Sequence, residues 1–131
     1  MKTQIITLLL IMTMSCVTNS NTSDYTSEIK NTKAKTIETH DLLMENMGRL
    51  RSLKKQILTK DSLNLNSIEL LAKIDSADKS MWDWMHQFKV NYEAENDSLT
   101  LSYFEDKFNK INEVQLLFDS AIIRSERYIN Q

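Results

Sequence analysis

A chain of 131 residues is the length of one domain, and with one Gly and no Pro it lacks the residues that tight turns demand, which excludes a turn-rich β fold. Charged residues make up 26% of the sequence and the formal net charge is −2, a balance that speaks against a nucleic-acid partner.

The first element is an apolar leader. Lys2 precedes Ile5 to Met14, a run built on Leu8, Leu9, Leu10, Ile11 and Met12. The run is far short of the about 20 residues that span a bilayer, and it fits the apolar region of an export signal. Ser15-Cys16 follows, and Cys16 is the chain's single cysteine, so no internal disulfide can form. The stretch resembles a bacterial lipoprotein signal, in which a small residue precedes a Cys that becomes lipid-modified. Thr13 departs from that pattern, which usually has Leu there. The resemblance implies a signal peptide over residues 1–15 and lipidation at Cys16. Release as a soluble protein is the weaker alternative, because it wants small residues of the Ala-x-Ala kind and the first Ala is Ala34. Two acyl chains anchor stably where one does not, so the expected location is the cell envelope, held to a membrane. Residues 16–27 hold little beyond Val17 and Tyr25 that could enter a core and read as a flexible linker.

Three helical patterns follow. The first runs from about Ser27 to Thr59, with the stripe Leu43, Met47, Leu50, Leu53 and Ile57, extended backwards by His40 and Ile37. Asp61 to Asn66 breaks it. Asn66 with Glu69 has the form of a capping box and opens the second helix, whose stripe is Leu71, Ile74, Asp78, Met81, Met85 and Phe88. Val90 to Leu101 reads as a loop. The third helix is expected to begin near Ser98 or Ser102, where Ser102 and Glu105 form a second capping-box match. Its stripe is Phe104, Phe108, Ile111, Phe118, Ile122 and Ile129, with Val114 and Leu117 alongside. Short connections favour antiparallel neighbours. The expected fold is an all-α, antiparallel three-helix bundle over residues 28–131.

The less common residues cluster. Folding the first two helices about residue 63 puts His40, Met44 and Met47 level with Asp78 to His86, so Met44 is expected to face Trp82. Every Met and His beyond the leader then falls in one layer, with Trp82 and Trp84 among them. The simpler reading is core, since Met packs well on aromatic rings. The sharper one is a soft-metal site for copper, with His40, Met44, Met81 and Met85 as ligands and Asp78, His86 and Trp82 around them, because thioether and imidazole together suit Cu(I). Gly48, beside this layer, is expected to admit a close helix approach. Asp78 sits on an apolar stripe, needs a partner or water, and is expected to pair with Arg51 rather than His40.

The segments from His40 to Met47 and from Ala77 to Lys89 resemble a family of small Bacteroidota-type lipoproteins whose members carry the name "viral A-type inclusion protein". The resemblance covers residues 37–88, and more loosely Tyr103 to Glu105 and Lys110 to Val114. It implies export and a helical fold, and brings no catalytic residues. No phosphate loop, metalloprotease motif or nucleophile–base pair is present in the sequence. The leading reading is thus a non-enzymatic envelope lipoprotein, a helical interaction or structural module without a cofactor. Copper binding through the Met/His layer is the alternative.

Overall fold

The computed structural model describes residues 21–60 and 64–131. The expected signal peptide and Cys16 lie outside the described residues. Three helices make up the fold: α1 (Asn21–Leu58), α2 (Leu65–Gln87) and α3 (Asp97–Ile129). No strand occurs among the described residues. At 1.5 Å per residue the 38 residues of α1 span about 57 Å.

The helices run up, down and up. Contacts of α2 with α3 link Trp84 to Lys107 and Glu69 to Arg124, so those two are antiparallel. Arg49 binds Glu126 and Lys33 lies over Phe104, which makes α1 and α3 parallel. The all-α bundle expected from the three stripes is the observed fold. Its core joins Leu43, Leu50 and Ile57 of α1 to Leu70, Ile74, Ala77 and Met81 of α2 and to Ile111, Phe118 and Ile122 of α3, all buried.

The ends and one face differ from expectation. α1 begins at Asn21, so the 21–27 part of the expected flexible linker is helical. Asn64, not Asn66, caps α2: its side chain accepts from the Ser67 amide, and the Ser67 hydroxyl accepts from the Asn64 amide. The same reciprocal logic operates two residues earlier, with Ser67 in place of Glu69. Asn96 caps α3 by accepting from the Leu99 amide, which shortens the connecting loop to residues 88–96.

The face of α2 is rotated. Leu70 and Trp84 are buried, while Leu71, Asp78 and Met85 are only partly buried. The cause is unequal packing. α1 and α2 each pack closely on α3 and only sparsely on one another. The apolar centre of α2 therefore turns toward α3, and its heptad row Leu71, Asp78, Met85 is left along the seam with α1. On α3, Phe108 is partly buried and Leu117 exposed, where both were expected in or beside the core. Gly48 is exposed, and a Cβ added there would meet nothing within 4 Å, so no helix approaches it.

Candidate functional site

The open α1–α2 seam is where the unusual residues lie. Its middle is crossed by two ion pairs. Lys54 binds Asp75, and Arg51 Nη2 lies 3.8 Å from Asp78 Oδ1. The Arg51–Asp78 pairing matches the expectation from sequence, although 3.8 Å is beyond hydrogen-bond reach. These pairs are carried by long side chains; the closer contact of His40 with Trp84, and the hollow that His40 shares with Met85, agree with the register expected by folding about residue 63.

Above the ion pairs the seam widens into a hollow of about 290 Å³ lined by Ile37, His40, Asp41, Trp84, Met85, Phe88 and Val90. Its rear wall is held rigidly. Trp84 stacks on Phe88 at 4.7 Å, and its indole Nε1 donates to the Lys107 carbonyl at 3.0 Å. Phe88 in turn meets the edge of Phe104 at 6.4 Å. The α2 terminus is pinned by Tyr103, whose hydroxyl accepts from the Lys89 amide at 2.6 Å and donates to the Gln87 carbonyl at 3.3 Å. Nearby, the hydrogen bond from Lys110 holds the Asp106 carboxyl below the usual carboxylate range.

His40 forms the front edge of the hollow. Its Nδ1 donates to Asp41 Oδ1 at 2.8 Å, so Nε2 is the ring nitrogen not engaged by Asp41, and its ring lies 5.9 Å from Trp84. Asp78 plays no part in orienting this ring; it faces Arg51. The other expected site residues separate by environment. Met81 is fully buried in the core, Met44 is 39% exposed and Met85 partly buried against the core. Trp82 is 41% exposed. His86 is exposed and its Nδ1 is engaged with the Trp82 carbonyl of its own helix at 2.6 Å. Thus His40 and Met85 share the hollow, Met44 lies one helical turn along α1 from His40 and outside its lining, and Met81 belongs to the packing beneath. Among the described residues no group of three or more His, Cys, Asp and Glu is placed to hold a metal ion.

Trp84 is the site residue that the sequence reading passed over. Its signal was present: Leu70, Ile74, Ala77, Met81, Trp84 and Phe88 repeat at spacings of four and three, an unbroken a/d pattern. The competing row through Leu71, Asp78 and Met85 has the same period, and only the packing on α3 decides between them.

No helix among the described residues is long and apolar enough to cross a membrane. Comparison with protein-family models, with curated proteins and with solved structures returns no match.

Proposed function

We propose that this protein is a non-catalytic, lipid-anchored interaction module of the cell envelope, and that it takes an amphipathic helix of a protein partner along the α1–α2 seam. The observation that carries the reading is the sparse contact between α1 and α2 where Met44 and Trp82 stand exposed beside an apolar hollow. Flexible Met side chains and exposed Trp are the residue types that adaptable helix-binding surfaces use. The leader and Ser15-Cys16 support the anchor, as does the resemblance of residues 37–88 to a lipoprotein family.

Two experiments test the two halves. Metabolic labelling with palmitate is expected to mark the wild type and not Cys16→Ala; labelling that survives the substitution removes the anchor. A photo-crosslinking residue at position 82 in the full chain is expected to capture a discrete protein in the envelope, and one at Ser120 on the outer face of α3 is expected to capture none. Equal capture at both positions removes the seam as the docking face.

A second reading rests on His40 and Met85 lining one hollow, with Met44 one helical turn from His40 on α1. A soft ion such as Cu(I) would take His40 Nε2, fixed by Asp41 behind it, and the thioethers of Met44 and Met85. Titration with Ag(I), followed by Trp fluorescence, is expected to saturate at one equivalent. Unchanged titration in His40→Ala rules this reading out.

A further inference from the structure

The end of the bundle remote from the start of α1 differs in charge from the rest. Residues 49–75 and 119–131 together carry eight Lys and Arg against five Asp and Glu. The remainder of residues 24–131 carries seven against thirteen. The last turns of α1 supply Arg49, Arg51, Lys54 and Lys55 with no acid among them, and Lys60 follows the helix. Lys55 and Arg127 pair with no carboxylate among the described residues.

The same end is apolar at its tip. Leu58 is 50% exposed, Leu65 84% and Ile68 55%, and all three flank the α1–α2 turn. Leu65 opens α2 with its side chain standing almost wholly in water. A soluble bundle gains nothing from three such side chains grouped at one end within a basic surround.

From this juxtaposition we propose that the hairpin end docks on an anionic lipid surface, with Leu58, Leu65 and Ile68 entering the interface and Lys55 and Arg127, which no carboxylate among the described residues engages, facing the headgroups. The occupant follows from area and charge. Three side chains at the end of a helical rod cover far less than the about 800 Å² per partner of a stable protein interface. A lipid surface has no such threshold: it takes single apolar side chains, and each basic residue close to it contributes about a fivefold gain in affinity. The inference stands apart from the seam reading and from the anchor at Cys16.

The test places a polarity-sensitive bimane label at the tip of the full chain carrying Leu65→Cys, with Cys16→Ser to leave one thiol. Emission is expected to shift to the blue with vesicles of phosphatidylcholine and phosphatidylglycerol at seven to three. With phosphatidylcholine alone the half-maximal lipid concentration is expected at least tenfold higher. Lys55→Glu with Arg127→Glu, helical by circular dichroism, is expected to weaken the anionic response at least tenfold. No shift on anionic vesicles, or an equal shift on both kinds, overturns the proposal. So does a shift that grows with protein concentration without lipid, which would make a second copy of the chain the occupant.

Discussion

The two halves of the bundle are built from different materials. Around Leu50, Ile74 and Phe118 the three helices meet in a layer that is almost entirely aliphatic and fully buried. Around Trp84, Phe88 and Phe104 the layer is aromatic, and it includes a polar dyad, an indole hydrogen bond and a hollow. Aliphatic side chains interlock without direction, so that half is closed and tolerates no loss of volume. Aromatic rings and their polar tips demand angles, and helices spaced to satisfy them leave gaps. The closed half accounts for stability, and the open half presents a surface.

The sharpest way to break this comparison is to remove a ring from each half. Phe118→Ala is expected to cost about 3–5 kcal/mol, the range for a fully buried Phe. Phe108→Ala, at a partly buried position, is expected to cost less than half as much. Urea unfolding of both variants measures the difference. Equal costs would mean that the partial burial of Phe108 is energetically unimportant and that the two positions are one core.

The open half is tested through its wall. Trp84→Phe keeps an aromatic ring and loses the hydrogen bond to the Lys107 carbonyl, for an expected cost of about 1–2 kcal/mol. Trp84 is buried and Trp82 exposed, so the fluorescence left in Trp84→Phe is expected to be readily quenched by acrylamide. In Trp82→Phe the remaining emission is expected to be shielded. Similar quenching of both would mean that the hollow opens wide enough to admit acrylamide, and the wall would not be rigid.

The outer face of α1 offers a smaller effect of opposite sign. Gly48 lies within a helix and nothing stands near an added Cβ, so Gly48→Ala is expected to stabilise the bundle by about 0.5–1 kcal/mol. A loss of stability would reveal a close neighbour there after all.

What the sequence told and withheld follows from the same asymmetry. The stripe of α1 was legible because Leu43, Met47, Leu50, Leu53 and Ile57 repeat without a rival row. In α2 two rows share one period, and choosing between them requires knowing that α3 is the main neighbour of α2. Helix starts were misplaced because several capping residues stand about each true start: Asn64 and Asn66 at α2, Asn96, Ser98 and Ser102 at α3. Local rules admit them all, and the winner is set by where the core begins. His40 and Met85 were brought together as expected and Met81 is buried as its place on the stripe implies, whereas the partial exposure of Met85 depended on the rotation of α2 and could not be read in advance.

Asp78 tests the seam at its most delicate point. Its Oδ1 is sealed from water without a hydrogen-bond partner, and the nearest cation, Arg51, is 3.8 Å away on a largely exposed side chain. An exposed guanidinium at that distance is screened and mobile, so a double-mutant cycle of Arg51→Ala and Asp78→Ala is expected to give a coupling of about 0.5 kcal/mol or less. The unsatisfied oxygen costs stability, and its removal with retained volume should recover some of that. Asp78→Leu is therefore expected to leave the bundle unchanged or more stable by up to about 1 kcal/mol. Urea unfolding measures the sign. If Asp78→Leu were instead destabilising by more than about 1 kcal/mol, the ion pair would be closing the seam, and a face held shut could not receive a helix. Stability retained together with lost crosslinking at position 82 would place the carboxylate in recognition of the partner, where an acid with an unfilled hydrogen-bonding site is of use.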